Sequence, residues 1–150
     1  MNTETLAAYI RKEIPVTNFC DFTIIQLDDE KSIIEIPFTQ NTKNHVGSMY
    51  FAALAMGADL AAGLFAMHYI DQSGQNIVLV FKDFQANFLR RAEKNAWFTC
   101  SDKDNVAALI EKAVSSGERE DLKVNVVAHA NDDPNEVFMT GSLTLSVKRK

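Results

Sequence analysis

The stretch from Met49 to Ile70 reads MYFAALAMGADLAAGLFAMHYI and contains one charged side chain, that of Asp59. Ala, Leu and Met favour helix, and the stretch is too long for an ordinary strand. It therefore predicts one long helix that is buried on nearly all sides. A membrane-spanning helix is the alternative, because apolar runs of about 20 residues are long enough to cross a bilayer.

Features within and beside this stretch disfavour a membrane span. Asp59 lies near its middle, Gly57 and Gly63 interrupt it, and neither end has a basic flank. The neighbouring segments alternate in the manner of strands. We therefore expect the helix to form the core of a domain that does not enter a membrane.

Alternating apolar residues predict β-strands on both sides of the helix. Before it, DFTIIQLDDEKSIIEIPF predicts a hairpin that turns at DDEKS. After it come four candidate strands: NIVLVFKDFQANFLR, NAWFTCSD, LKVNVVAHA and EVFMTGSLTLSVK. In the last of these, the odd-numbered residues from Val137 to Val147 form the predicted buried face, and Thr and Ser occupy a half-solvated face.

Two shorter helices complete the predicted elements. Thr3 is the candidate N-cap of the first, and Pro15 marks its end. The second helix, in DKDNVAALIEKAVSSG, is amphipathic, with Asp104 or Asn105 as its candidate N-cap and Gly117 at its end. It is expected to cover an edge or a face of the sheet.

The order of these elements predicts an α+β fold in which one antiparallel sheet wraps around the long helix. That arrangement explains both the burial of the helix and the alternation of the strands. At 150 residues the chain is long enough to bury a core, and it contains no linker, repeat or low-complexity tract. We therefore predict a single domain over residues 1–150, with an N-terminal helix over 1–15 and a core over 20–148.

Charge and cysteine usage limit the classes of function. The formal net charge of −5 disfavours the broad basic face that captures nucleic acid or anionic membrane. Cys20 and Cys100 have no Cys or His nearby at metal-ligand spacing, so we expect buried thiols and no metal site. The N-terminal residues MNTETLAAYIRKEI lack the pattern of an export signal, so we expect a reducing, cytoplasmic setting.

Asp59 is the exception in the apolar helix, because an unpaired carboxylate in such a place is costly unless it is hydrogen-bonded, shifted in pKa or used in chemistry. It either points to solvent or caps a backbone group, or it acts as a general base or nucleophile. The loop NHVGS, residues 44–48, leads into the helix. Free N–H groups at a helix start can stabilise an oxyanion, which favours the second interpretation.

These two features are too far apart to serve one substrate within one chain. Asp59 lies about ten residues after the predicted helix start, on the order of 15 Å away at 1.5 Å per residue. They can cooperate only if a second copy of the chain sets its helix antiparallel beside the first. Catalysis therefore predicts a two-fold homodimer with composite sites, and such dimers are free to pair into a tetramer.

Asn44, Gly47 and Asp59 resemble in type and spacing a motif of the hotdog-fold thioesterase superfamily, in particular its phenylacetic acid degradation-type branch and an uncharacterised neighbouring branch. The family pattern is Asn, two residues, Gly, then His-Gly-Gly at the helix start and an Asp or Glu further along. The segment ANFLRRA, residues 86–92, is similar to the family's FLRPA. The resemblance covers roughly residues 20–148.

The resemblance implies a hotdog fold and an acyl thioester hydrolase that acts on coenzyme A or acyl carrier protein thioesters, with no cofactor beyond the coenzyme A of its substrate. The N–H of Tyr50 or Phe51 would hold the carbonyl, and Asp59 of the other chain would activate water or attack directly. Asn44 would orient the water or the thioester, or alternatively close the loop. Gly47 belongs to the candidate catalytic residues by resemblance, although a tight turn into the helix explains it more simply.

Three further residues are candidate substrate contacts. By resemblance, Arg90 and Arg91 would meet the phosphates of coenzyme A, although they also suit a solvated strand end. His45 adjoins the motif and is a candidate for a role in the site. His68 and His129 are not candidates.

One departure from the family pattern keeps other functions open. Tyr50, Phe51 and Ala52 occupy the positions of His-Gly-Gly, so backbone N–H groups remain while side chains crowd the site. Either the pocket is narrower, or the protein binds acyl-CoA or fatty acyl groups without cleaving them. A hotdog dehydratase that uses His45 and a structural dimer module without a ligand are the remaining alternatives.

Overall fold

The computed structural model describes residues 2–150, which form three α-helices, one 3₁₀-helix and six strands. In chain order they are α1 (Thr3–Glu13), the 3₁₀-helix (Pro15–Cys20), β1 (Thr23–Leu27), β2 (Ser32–Ile36), α2 (Phe51–Ser73), β3 (Ile77–Phe88), β4 (Ala96–Cys100), α3 (Lys103–Ser116), β5 (Glu120–Ala130) and β6 (Asp133–Arg149). The predicted helices and strands are therefore present in the predicted order.

The six strands form one antiparallel sheet in the order β1-β2-β4-β5-β6-β3. The helix α2 packs across it and contacts every strand, and α3 packs against α2, β5 and β6. The predicted α+β architecture, a sheet wrapped around one long helix, is confirmed. Strand β3 pairs with β6 on one side and forms an edge of the sheet.

The apolar helix α2 is a core helix over most of its length. By length and composition it could cross a membrane, but 61% of its most apolar window is buried inside the domain. Its small residues permit close packing: a Cβ at Gly57 would lie 2.4 Å from the ring of Phe98 on β4. One side of the helix near its N-terminus is less buried than predicted, because Ala52 is exposed and Asp59 is only partly buried.

The helix caps differ from the predicted ones by one or two residues. The N-cap of α1 is Asn2, whose side-chain oxygen accepts a 2.8 Å hydrogen bond from the N–H of Thr5, so the prediction of Thr3 is wrong. The N-cap of α3 is Asp102, upstream of both candidates. The predicted end of that helix is confirmed, because Gly117 adopts the left-handed conformation, with φ +69°, that glycine accepts most easily.

The predicted inward face of β6 is correct except near its start. Met139, Leu143 and Val147 are buried as expected. The pairing of β6 with β5 shifts near His129, and Phe138 is fully buried although the alternation places it on the outer face. A bulge adds a residue to one strand and so reverses the direction of the side chains beyond it, which period-two patterning cannot anticipate.

Candidate active site

The loop before α2 is a tight turn closed by the side chain of Asn44. Its Oδ1 accepts hydrogen bonds from the N–H groups of Val46 and Ser48, both at 3.1 Å, and its Nδ2 donates to Ser48 Oγ at 3.0 Å. The structural alternative predicted for Asn44 is therefore present. A side-chain amide carries two N–H bonds, and among residues 2–150 only one of those of Asn44 has an acceptor, which leaves the other to reach a ligand.

Gly47 provides the backbone conformation that this turn requires. Its φ of +78° lies in the left-handed region, and its N–H donates to the carbonyl of Asn44 at 3.2 Å. Substitution would be strained even though a Cβ would meet no atom within 4 Å. The turn role predicted for Gly47 is confirmed.

The chain after β3 fastens this loop from the side. The guanidinium of Arg91 donates to the carbonyl of Val46, and the N–H of Met49 donates to the carbonyl of Ala92 at 2.7 Å. The start of α2 is therefore held in place by two hydrogen bonds with the segment that follows β3. Loops that are positioned in this way by a rigid scaffold are common sites of function.

The N–H groups without an acceptor at the start of α2 differ in part from the expected pair of Tyr50 and Phe51. The N–H of Tyr50 donates to the carbonyl of Thr42 at 2.7 Å, so this group is occupied. Phe51 and Ala52 are the first two helical residues, and within residues 2–150 their N–H groups have no acceptor. The two alternatives in the sequence prediction therefore reduce to Phe51, and Ala52 joins it as a donor that the sequence argument missed.

Three aromatic rings cluster at the start of α2. The ring of Phe51 lies 5.0 Å from that of Tyr50 and 6.4 Å from that of Phe88, both in edge-on arrangements. All three side chains are about half exposed. The crowding expected from Tyr50 and Phe51 is therefore present, although it leaves an adjoining cavity of about 490 Å³.

That cavity, termed the N-terminal pocket, gathers most of the candidate residues in one place. Its lining includes Asn44, His45, Tyr50, Phe51, Arg90 and Arg91. His45 is exposed. The guanidinium of Arg90 lies 3.9 Å from the carboxylate of Glu136, and that of Arg91 lies 3.5 Å from Glu93, so both cations are partly neutralised at the surface.

Asp59 lies outside the N-terminal pocket. It is eight residues beyond Phe51 on the same helix, about 12 Å along the axis. The structure thus brings six of the candidate residues together at the N-terminal pocket, with Gly47 in the adjoining turn, and places this carboxylate elsewhere. The separation predicted between the two parts of the site is present within the single chain.

The environment of Asp59 raises the pKa of its carboxyl group, and burial is the cause. No hydrogen bond or ion pair from any residue in the described range 2–150 offsets this effect. The first interpretation of Asp59 is that it points to solvent or caps a backbone group, and such capping is not observed within residues 2–150. A carboxyl group whose pKa is raised by its surroundings, and which lies beside a cavity, has the properties of a candidate base.

Two cavities meet at Asp59 and Phe81, which line both. The larger, of about 650 Å³, extends between α2, β3 and α1. The smaller, of about 440 Å³, opens along β3 and includes Ala52 and Phe84. The carboxylate therefore stands between an apolar cavity and an open cleft.

The remaining titratable side chains serve structural roles. Cys20 and Cys100 are buried as predicted, and burial raises the pKa of the Cys100 thiol to about 11. His68 lies 2.7 Å from the carboxylate of Asp29, and His129 bonds the carbonyl of Ala130 at 2.8 Å. Across residues 2–150, no cluster of His, Cys, Asp and Glu could hold a metal ion.

Besides the N–H of Ala52, two features of the site were not predicted from the sequence. The hydroxyl of Ser48, which fixes the Asn44 amide, stands in the quoted loop NHVGS and could have been noticed as a partner four residues away. The contribution of α1 to the large cavity, through Ile10 and Ile14, carries no local signal. Their side chains lie about fifty residues from Asp59 in sequence, and only the tertiary fold brings them near.

Comparison with solved structures shows the fold. The Pseudomonas aeruginosa protein PA5026, of unknown function and described as a probable thioesterase, matches with a TM-score of 0.84 at 18% identity over 100% of this chain and 97% of its own. A Chlorobaculum tepidum protein of unknown function, OLEI01261, gives 0.86 at 11% identity, with 99% and 94% covered. Thioesterase HI1161 of Haemophilus influenzae gives 0.72 at 14% identity, with 99% and 92% covered.

The chain therefore has the hotdog fold, as the resemblance implied. No curated protein matches the sequence. One family model does match, over residues 3–147, and its description is a domain of unknown function. Since that match spans nearly the whole chain, the protein belongs to the DUF4442 family.

Proposed function

We propose that the protein hydrolyses acyl thioesters of coenzyme A or acyl carrier protein in the cytoplasm, at two sites shared between the subunits of a homodimer. The observation that carries the proposal is the Asp59 carboxylate, which is partly buried, has no partner within residues 2–150 and lies where two cavities meet. Structurally similar proteins described as thioesterases support the same reaction class.

In this mechanism the thioester carbonyl lies at the start of α2. The N–H groups of Phe51 and Ala52 donate to its oxygen as negative charge develops, and the helix dipole adds to the attraction. The free N–H of Asn44 orients the water or the thioester. Two of these donors are backbone groups, and the third is the side-chain amide of Asn44, which is fixed by its hydrogen bonds within the loop.

Asp59 of the other subunit acts as the general base. It removes a proton from a water molecule, whose oxygen attacks the carbonyl carbon to give a tetrahedral intermediate. The intermediate collapses with cleavage of the carbon–sulfur bond, and the proton on Asp59 passes to the leaving thiolate. The products are a carboxylic acid and a free thiol. Direct attack by Asp59 would instead give an anhydride that water then hydrolyses.

The edge strand β3 supports the proposed dimer. It is twelve residues long, it is paired on one side, and it exposes Val80, Phe84 and Phe88. A long apolar edge of this kind invites pairing with another strand. Two-fold pairing of β3 with its copy sets the two α2 helices antiparallel, which brings Asp59 of each chain towards the N-terminal pocket of the other.

Arg90 and Arg91 are proposed to receive the phosphates of coenzyme A. Both side chains are more than half exposed, so several N–H groups of each guanidinium remain open to a ligand despite the nearby carboxylates. Arg binds phosphate through paired hydrogen bonds. His45 lines the same pocket and is proposed as a further contact with the substrate.

A second candidate function is acyl binding without cleavage. The rings of Tyr50, Phe51 and Phe88 cluster at the start of α2, and such crowding favours a site that holds a ligand without letting its carbonyl approach. The same cavities would then serve as a ligand site. The proposal for a hydrolase and this alternative make opposite predictions about thiol release.

The first experiment follows release of free thiol from acetyl-, octanoyl-, lauroyl- and phenylacetyl-coenzyme A. The hydrolase proposal expects release from at least one of them. Binding of the substrates without any release would overturn it and favour the acyl-binding function.

A second experiment tests the backbone donor directly through Phe51→Pro. Proline is well tolerated at the first position of a helix, and the extended ψ of 138° at Tyr50 suits a residue that precedes proline. The substitution removes the N–H of Phe51 and its ring, whereas the control Phe51→Ala removes only the ring. We expect hydrolysis to fall well below that of Phe51→Ala, and equal rates would exclude this N–H from the mechanism.

A third experiment tests whether the sites are composite. Asp59→Asn and Phe51→Pro are each expected to be inactive alone. Unfolding and refolding the two together gives mixed dimers in which one of the two sites has both an intact Asp59 and an intact donor. Recovery of activity is expected, and failure to recover it in confirmed mixed dimers would contradict the shared site.

A further inference from the structure

The cavity of about 650 Å³ follows one side of α2 as a channel. Its lining on the helix begins at Asp59 and continues with Gly63, Leu64, Met67, Ile70 and Gly74. These positions repeat at helical spacing and therefore form one stripe. From Asp59 to Gly74 the stripe extends about 22 Å along the axis, at 1.5 Å per residue.

Two other elements complete the wall of the channel. Strand β3 contributes Ile77, Leu79 and Phe81, which alternate and so share one face. Helix α1 contributes Ile10 and Ile14. The channel is therefore enclosed by the central helix, the start of the edge strand and the N-terminal helix.

Gly63 sets the width of the channel near Asp59. It lies one helical turn beyond the carboxylate, and a Cβ at this position would meet Phe81 at 3.4 Å, an ordinary contact distance. Any larger side chain would extend past that contact into the channel. Helix α2 and strand β3 therefore lie close together at Gly63, and a residue larger than Ala at this position would narrow the channel beside it.

The lining selects for an uncharged apolar occupant. Its charged members are two acids, Asp59 at one end and Asp71 at the other, and no basic residue is among the lining residues of the described chain. A carboxylate or phosphate would be repelled, whereas a hydrocarbon chain would gain from burial. The carboxylate end of a bound fatty acid would meet Asp59, which disfavours retention of the free acid.

We propose that this channel holds the hydrocarbon chain of the acyl group, and that Gly63, Ile10 and Ile14 determine which chains fit. The inference rests on the proposed thioester hydrolysis, because the chain is taken to begin at Asp59. An extended chain advances about 1.2 Å per bond. The channel's length of about 22 Å is therefore matched to straight acyl chains of up to roughly 18 carbons.

Helix α1 is held against the domain by contacts of Ile10 and Arg11, which fixes its position beside the channel. Ile10 is buried in the core, and the guanidinium of Arg11 lies over the ring of Phe22 at 4.8 Å and donates to the Phe22 carbonyl. Ile14, at the end of the helix, is about half exposed. Ile10 thus forms part of the inner wall, and Ile14 lies at its outer rim.

The test measures binding separately from hydrolysis. The probes are pantetheine thioethers that carry ethyl, octyl or dodecyl groups, because pantetheine is the arm shared by coenzyme A and acyl carrier protein, and a thioether cannot be hydrolysed. Calorimetric titration of the wild-type protein is expected to show affinity rising by up to about fourfold per added CH₂. Equal affinity for the ethyl and dodecyl probes would overturn the proposal.

Variants locate the effect within the channel. Gly63→Val is expected to remove the advantage of the dodecyl over the ethyl probe, and Ile14→Trp to reduce it at the outer rim. The matched control Ala8→Trp places the same side chain on an exposed position of α1 that does not line the channel. If Gly63→Val, with its fold verified by circular dichroism, keeps the wild-type preference for the dodecyl over the ethyl probe, the assignment is overturned. If Gly63→Val does not fold, Ile14→Trp provides the test.

The outcomes separate this inference from the proposed reaction. If no thioester releases thiol but the thioethers still tighten with chain length and Gly63→Val abolishes that trend, the hydrolase proposal fails and the channel stands. If thiol is released at rates and affinities that do not depend on chain length, the channel fails and the hydrolase stands.

Discussion

Two glycines on different sides of α2, Gly57 and Gly63, have different surroundings. At Gly57 the sheet presses directly on the helix, and a Cβ would lie 2.4 Å from the Phe98 ring. At Gly63, six residues later, a Cβ would make an ordinary contact of 3.4 Å with Phe81, and Gly63 lines the cavity of about 650 Å³. One helix therefore supplies both the tightest packing of the core and the open wall of the candidate site. Substitutions on its two sides should accordingly separate stability from activity.

The largest expected effect belongs to the open side. Asp59→Asn keeps the shape of the side chain but removes the base, and general-base catalysis typically contributes about 100- to 10,000-fold in rate. We expect thiol release to fall within that range while the oligomeric state is retained. The measurement is kcat by thiol release, with light scattering on the same sample. An unchanged kcat would remove Asp59 from the mechanism.

On the packed side, Gly57→Ala is expected to reduce stability. The added methyl cannot be accommodated without moving the Phe98 ring, and overpacking of this kind typically costs about 1–3 kcal/mol. Denaturant unfolding measures the change. The activity of the protein that remains folded should change little, because Gly57 lines neither cavity that meets at Asp59. A neutral result would mean that Phe98 moves aside easily.

The matched substitution Gly63→Ala should have the opposite sign. Its Cβ makes an ordinary contact, so the intrinsic gain of replacing glycine within a helix, about 1 kcal/mol, is expected to remain. The free energy of unfolding should therefore rise while that of Gly57→Ala falls. If both variants were destabilised alike, the contrast between the two sides of the helix would be incorrect.

The smallest expected effect is a pH dependence. Burial raises the pKa of Asp59 in the folded state, so the folded protein binds this proton more readily than the unfolded chain. The resulting stabilisation is present below the unfolded pKa of about 3.9 and is lost as pH rises through the folded pKa. The stability of Asp59→Asn relative to wild type should consequently increase with pH, and a gap that does not change with pH would contradict it.

Asp29 provides a matched control with the opposite sign. Hydrogen bonds from His68 and Gln72 lower the pKa of its exposed carboxyl group, so its contribution is present above the unfolded pKa and is lost as pH falls through the folded pKa. The stability of Asp29→Asn relative to wild type should therefore decrease with rising pH. Denaturation at a series of pH values compares the two variants directly.

The parts of the fold that depend on local pattern could be predicted from the sequence. The long Ala-rich helix, the alternating strands and the turn at Gly47 each follow from neighbouring residues, and each is confirmed. The motif of Asn44, Gly47 and Asp59 likewise indicated the hotdog fold. The separation between Asp59 and the helix start followed from helical rise alone.

What could not be predicted depends on contacts between distant segments. The occupation of the Tyr50 N–H by Thr42, the inward turn of Phe138 and the wall that Ile10 gives to the channel all arise from backbone or side-chain placements fixed by tertiary packing. A choice between two adjacent donors, or between two faces of a strand, changes with a shift of one residue. Sequence periodicity carries no information at that resolution.

The position of β3 in the sheet also has a consequence for synthesis of the chain. β3 pairs with β6, which ends at Arg149. The backbone of β3 therefore has no hydrogen-bonded neighbour until β6 has been synthesised. Translation from Phe88 to Arg149 takes roughly 3–12 s at about 5–20 residues per second. During that interval a nascent chain displays an unpaired apolar segment to the ribosome surface and to chaperones. The bulge between Phe81 and Phe84, with the charged Lys82 and Asp83, divides that segment into two shorter apolar runs.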